Sequence, residues 1–424
     1  MRIARNGRNQ HLSSLIGGLL LTASCLSVAC ADEHSRSDAS GDQLGFVFTR
    51  IAYVLGPDAS GTDACPDGMT EGVTEIFKQS PGGAQREGES DQDYNHRIAE
   101  GVKALSTAPN GQNMCINPEA GAPESHFHIV KGSNIRLEGL DLDGQNSTAR
   151  GKAAPNTCAH DDFKGVDGKA SVDNQFYRAV GCSKSFQSTG PSNTFDTEML
   201  TGAWGILLTL KNAGDRRNAE NVDVGIYASA DPIELSPNRE PLAHATYAMD
   251  QDPRFRAVTH GRIVGGILTT EPVDVRFHWI VNNIHLERPV QDARIRATIN
   301  PDGSVEGFLA GYTPVDSMYD LQYGFRSGKD AKGGPANPRL ISGSANGAAF
   351  VLDHTCNGAY YALKQLADGH RDPKSGQCTS ISTQYKFKAI PAFVVDAATQ
   401  SVNSDLDKHG TTDLYNNKHG TSQY

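Results

Sequence analysis

Six cysteines beyond an export-type leader constrain this chain more than any other feature. Arg2, Arg5 and Arg8 precede an apolar run from Leu15 to Ala29, and Ala29-Cys30-Ala31 places small residues where a signal peptidase inspects them before Asp32. The run is broken by Gly, Ser and Thr and is shorter than the ~20 residues a membrane-spanning helix needs, so residues 1–31 read as a signal peptide. Lipid attachment at Cys25 or Cys30 is the competing reading, but Thr22 and Ser27 stand where a lipoprotein signal carries leucine. The remaining Cys65, Cys115, Cys158, Cys182, Cys356 and Cys378 form an even set in a chain expected to be periplasmic or secreted. That favours disulfides over thiol catalysis or zinc. The neighbours are 50, 24 and 22 positions apart, and sequential pairing is the simplest expectation. Cys158-Ala-His160 is too common a spacing to argue for zinc against the compartment.

Composition narrows the classes further. Of 424 residues 38% are hydrophobic and 21% charged, which suits a folded chain, and 44 glycines favour many turns and few long helices. Loss of the leader removes three arginines and no acid, leaving 36 basic against 49 acidic side chains and a formal charge of −13. That balance supplies no general phosphate-neutralising surface, so nucleic acid is not an expected partner. No later segment is long and apolar enough to span a bilayer, so no transmembrane span is expected after processing.

Residues 32–44 read as a flexible leader, 45–125 as a small helical and loop region, 126–398 as one or more β-rich main domains, and 399–424 as a disordered tail in which Lys-His-Gly-Thr recurs. In the helical region Asp67 is expected to cap a turn carrying Val73, Ile76 and Phe77. Ser90 with Asp93 is expected to open a helix with Ile98, Val102 and Leu105 on one face. Beyond His126 the apolar period becomes two, at Trp204–Leu210, Val222–Ile226 and Ala293–Ile299. Asn300-Pro-Asp-Gly303 and Gly265-Gly266 predict hairpins, Tyr385, Phe387 and Ala389 a terminal strand, and Ala359–Ala367 a helix stopped by Gly369. The fold class is therefore mainly β: antiparallel, sandwich-like sheets with peripheral helices, stabilised by disulfides.

Candidate chemistry concentrates between Asp141 and Cys182. Asp141, Asp143, Asp161, Asp162, Asp167 and Asp173 alternate with glycine-bearing turns, a donor set suited to calcium, although Lys152 replaces the bidentate glutamate an EF-hand would carry. The alternative is a disulfide-closed surface loop built from ordinary turn residues. His126 and His128 flank Phe127 just before a predicted strand, where two-residue spacing would put both imidazoles on one face to ligate a transition metal or furnish a base, but no third ligand follows and a satisfied or surface pair is the expectation. His278 and His285 fit no metal or catalytic spacing and read as structural. Nucleophile-elbow, Walker, dinucleotide and paired-histidine metalloprotease signatures are missing, and Ser342–Gly347 lacks the glycine an elbow needs. Tyr385-Lys-Phe-Lys-Ala389 superficially resembles the terminal strand of jelly-roll polysaccharide lyases, without that family's companion strands.

Gly165-Val-Asp-Gly168, Val172-Asp-Asn-Gln175, Tyr361–Gly369 and Ile390-Pro-Ala-Phe393 resemble an uncharacterised group of exported bacterial proteins over the region from Cys158 onward. The resemblance implies no activity and transfers no catalytic residue. Two functional classes stay open. The first is an extracytoplasmic, calcium-stabilised protein binding a ligand such as a carbohydrate; the second is an extracytoplasmic hydrolase or lyase that works on a polymer through carboxylate or histidine acid–base chemistry. A cleft where acids, or an acid and a histidine, converge with perturbed proton affinity would favour the second.

Overall fold

The computed structural model describes residues 43–56, 63–124, 126–132, 134–148, 151–166, 168, 171–190, 192, 197–200 and 202–397. The expected signal peptide with Cys25 and Cys30, most of the proposed leader, Asp167 and the proposed tail lie outside them.

Alternating apolar residues fold into eight strands that follow one another in chain order: β1 (Gln43–Tyr53), β2 (Ile206–Lys211), β3 (Asn218–Ala228), β4 (Arg256–Val264), β5 (Ile267–Thr270), β6 (Ile284–Ile299), β7 (Val305–Pro314) and β8 (Cys378–Pro391). Each pairs antiparallel with the next, and β8 returns to pair with β1, so the hydrogen bonding closes into a ring. Closure leaves no bare strand edge along this ring. β1, drawn from the last two residues of the 32–44 stretch, which are therefore strand and not leader, and from the start of the 45–125 stretch, lies inside the main sheet between β2 and β8.

The predicted hairpins form. Val264 pairs with Ile267 across Gly265 and Gly266, both in the left-handed region that glycine adopts freely. Ile299 pairs with Val305 across the Asn300–Ser304 turn. Ala293, Ile295 and Ala297 on β6 are buried while Arg296 and Thr298 are exposed, as their alternation requires. Phe48 of β1 stacks on Phe387 of β8 with ring centroids 4.3 Å apart. Tyr385 also points inward: its hydroxyl and that of Tyr53 accept from the buried Arg288, at 3.2 and 2.8 Å. Tyr385 therefore has a packing role, and its likeness to a lyase strand stops at the sequence.

The helices are α1 (Val73–Gln79), α2 (Asp91–Leu105), α3 (Gln175–Val180), α4 (Thr197–Leu200), α5 (Val315–Tyr319), α6 (Pro338–Leu352) and α7 (Cys356–Gln365). Ser90 caps α2 by accepting from Asp93 N at 3.1 Å. Asp67 does not cap α1. The helix starts after Gly72, and Asp353, from beyond α6, accepts from Thr74 N. The Ser342–Gly347 tract is the middle of α6. α7 stops at its Leu366 cap, and Gly369 instead begins a short strand, Gly369–Arg371, paired with β8. None of the described helices is long and apolar enough to cross a membrane.

The structure overturns sequential cysteine pairing. The disulfides are Cys65–Cys182, Cys115–Cys356 and Cys158–Cys378. The reason is topological: ring closure brings the N-terminal strand beside the last one, so early and late segments become neighbours. Cys158 is thereby removed from any zinc set, and His160 turns its Nε2 to Ala367 O at 3.1 Å.

Candidate functional site

The outer face of β6, β7 and β8 is covered at one end by the 139–148 loop. Gln384 of β8 pins that loop: its Oε1 accepts from Leu140 N, and its Nε2 donates to Leu140 O and Asp173 O, all within 3.0 Å. Glycine-bearing turns then fold the carboxylates inward. Gly144 N donates to Asp141, Gln145 N to Asp143 and Leu142 N to Asp173. As a result Asp141, Asp143 and Asp173 each present an oxygen within 4.8 Å of the others. Calcium–oxygen bonds of about 2.3–2.6 Å span such separations, so the donor set fits a hard divalent cation.

Asp162 stands beside this trio rather than in it, hydrogen-bonded to Asp173 and accepting from Ser147 N at 2.6 Å. Asp161 contributes elsewhere: its backbone oxygen accepts from Gln175 and Arg178. Sequence spacing missed Asp368, which comes from the far end of the chain and accepts from Ser382 N at 2.7 Å. Burial pushes Asp162 up to about 6 and Asp368 up to about 7. Asp173 is raised well above the carboxylate range by burial first, then by the charges of Asp162 and Asp368.

Leu142 and Asp143 also wall a cleft of about 490 Å³ on the same outer face, together with the 154–157 loop, Asp292, Arg294, Tyr312, His370 and Arg371. Arg294 Nη1 donates to Leu142 O, and Arg371 Nη2 donates to Thr157 O at 2.8 Å, so each arginine fixes one wall and keeps donors for a ligand. The Cys158–Cys378 disulfide ties the 154–157 wall to the start of β8.

Tyr312 is only 5% exposed, yet its hydroxyl has no hydrogen-bond partner among the described residues. Burial, then Asp368, Asp173 and Asp143, raise its proton affinity, so it stays a donor. The His370 ring meets Tyr312 edge-on, with centroids 5.8 Å apart, and His370 Nε2 lies 3.1 Å from Asp292 Oδ2 without hydrogen-bond alignment. Asn156, Asp292 and His370 all have positive φ, at 63°, 48° and 54°. Left-handed backbone is costly for residues with a Cβ, by about 1–2 kcal/mol each, and such strain gathers at functional sites.

His126 and His128 do not act together, in keeping with a satisfied or surface pair that lacks a third ligand. His126 Nδ1 lies 3.3 Å from Glu71, His128 hydrogen-bonds Gly68 O, and neither joins a ligating cluster among the described residues. The segment is not a strand there, which removes the shared face. His278 is structural, paired with Asp250 at 2.7 Å and packed on Phe255. His285 sits in a backbone bridge to Lys329.

No protein-family model, curated protein or solved structure matches this chain.

Proposed function

We propose that the protein is exported and works outside the cytosol, where the Tyr312 cleft binds a hydroxyl-rich ligand such as a glycan. The observation that carries this reading is Tyr312, whose ring is almost fully buried while its hydroxyl reaches solvent without a protein partner among the described residues, at a cleft that also holds Asp143, Asp292, Arg294 and Arg371. Fixed planar polar groups beside an aromatic ring suit a sugar, whose hydroxyls both donate and accept. Three disulfides accord with an oxidising compartment. Calcium held by Asp141, Asp143 and Asp173 would fix the 139–148 loop and with it one wall of the cleft.

The His370–Asp292 approach next to Tyr312 favours a second reading, turnover of the bound polymer, with His370 as base and Tyr312 as proton donor. Calorimetry against defined neutral oligosaccharides tests binding. The expected result is saturable binding that Tyr312→Phe weakens about tenfold, or 1.4 kcal/mol. Equal affinity of the variant, or no binding by the parent, overturns the reading. New reducing ends or unsaturated sugars, lost in His370→Ala, would identify the ligand as a substrate.

A further inference from the structure

Two residues along the strands from the cleft, the same outer face leaves its cover and becomes exposed. Strand register places Arg262 of β4 opposite Thr269 of β5, Thr269 opposite Arg296 of β6, Arg296 opposite Phe308 of β7, and Phe308 opposite Lys386 of β8. Paired residues of antiparallel neighbours share a face, so these five side chains form one row across five strands. Arg262, Thr269, Arg296 and Lys386 are exposed, and Phe308 is half-buried between two cations.

The row contains no acid, although the chain as a whole is acidic. Arg262 and Arg296 have no side-chain partner among the described residues. Lys386 pairs with Glu138 and the neighbouring Lys388 with Glu306, but all four groups are about half exposed or more. Exposed pairs of this kind contribute little and exchange readily for a ligand's carboxylate. Arg296, Phe308, Lys386 and Lys388 line a groove of about 480 Å³ together with Glu138 and Glu306, the acids of those two exposed pairs.

We infer that this row binds a linear polysaccharide bearing carboxylates, a polyuronate, laid across the strands. The spacing carries the argument. Cations recur every second strand, about 10 Å apart at 4.7–4.9 Å per strand. An extended 1,4-linked pyranose chain advances by about one strand spacing per sugar, so alternate carboxylates meet Arg262, Arg296 and Lys386. Phe308 then offers its ring to the apolar face of the sugar between two cations. Arginine forks suit carboxylates bidentately. A nucleic acid would present a denser charge than three cations match and would meet a strongly negative remainder of the molecule.

The inference rests on the glycan reading for its ligand class and adds a surface separate from the Tyr312 cleft. The test is titration of the full mature chain with short and long oligogalacturonates, neutral cello-oligosaccharides and single-stranded oligothymidylate. Affinity for galacturonates is expected to rise with length until the row is spanned and to fall with salt. Arg262→Gln with Arg296→Gln is expected to weaken it at least tenfold, with an unchanged thermal midpoint reporting an intact fold. Tyr312→Phe is expected to leave it unchanged, even where that variant loses a neutral ligand.

The inference is overturned by no galacturonate binding by the parent, by full affinity in the double glutamine variant, or by oligothymidylate binding as tightly as galacturonate. Galacturonate binding lost only in Tyr312→Phe would also sink it while supporting the cleft. Binding lost only in the double variant supports the row whatever the cleft does.

Discussion

A hydroxyl that reaches solvent from an otherwise buried ring keeps its hydrogen bond to water until a ligand replaces it, and the exchange is worth about 0.5–1.5 kcal/mol net. Tyr312 is such a group. In the ligand-free protein Tyr312→Phe should therefore leave stability within about 0.5 kcal/mol of the parent while weakening the ligand. A lower denaturation midpoint in the variant would mean the hydroxyl is satisfied and its availability an error. Asp368 gives the opposite kind of test, in pH. Its folded-state proton affinity, pushed up to about 7 by burial, exceeds the unfolded value, so its contribution is fully favourable below about pH 4 and is lost as pH rises toward 7. The loss is on the order of 4 kcal/mol at 1.36 kcal/mol per unit. Asp368→Asn, measured with chelator present, should match the parent near pH 4 and exceed it increasingly up to pH 8, since the amide never ionises. A constant difference between the two across that range would show that Asp368 does not titrate there.

At the scale of elements, the 139–148 loop is where the cation argument is decided. Its carboxylates are held by the backbone donors of its own turns, its backbone is held at Leu140 by Gln384, and a divalent ion would bind the folded loop in preference to the open chain. Added calcium should raise the thermal midpoint, chelator should reverse the rise, and Asp143→Asn should abolish it. A midpoint indifferent to calcium over a broad titration removes the ion from the account. The elements also show what could be read beforehand. The Gly265-Gly266 and Asn300–Gly303 hairpins were legible because turn chemistry is local, and the Asp-rich loop because its acids are close in sequence. Helix α6 is poorly legible in the sequence, since Gly343 and Gly347 depress helix propensity; its Asn337 cap and Pro338 at the first position are the signals it carries. The cleft was out of reach. Asp292, Tyr312 and His370 come from three separate elements, and only strand pairing brings them together.

For the whole molecule, ring closure and the disulfides express one fact: the beginning and the end of the chain fold together. β1 cannot complete the sheet until β8 has formed, and Cys115–Cys356 spans 241 positions, against 50 or fewer for any neighbour pairing. Loop-closure entropy rises with length, so each native bridge restricts the unfolded chain by about 1–2 kcal/mol more than its neighbour alternative, and by about 5 kcal/mol in all. The Cys115→Ser, Cys356→Ser double variant should consequently unfold at markedly lower denaturant than the parent. It removes a bridge between the segment after α2 and the start of α7 without touching the cleft, so ligand affinity below the new midpoint should be unchanged. Peptide mapping of the unreduced protein should join Cys65 to Cys182, Cys115 to Cys356 and Cys158 to Cys378. Peptides joining Cys65 to Cys115, or free thiols at these six positions, would contradict a ring in which the first strand pairs with the last, because that pairing is what sets the distant cysteines side by side.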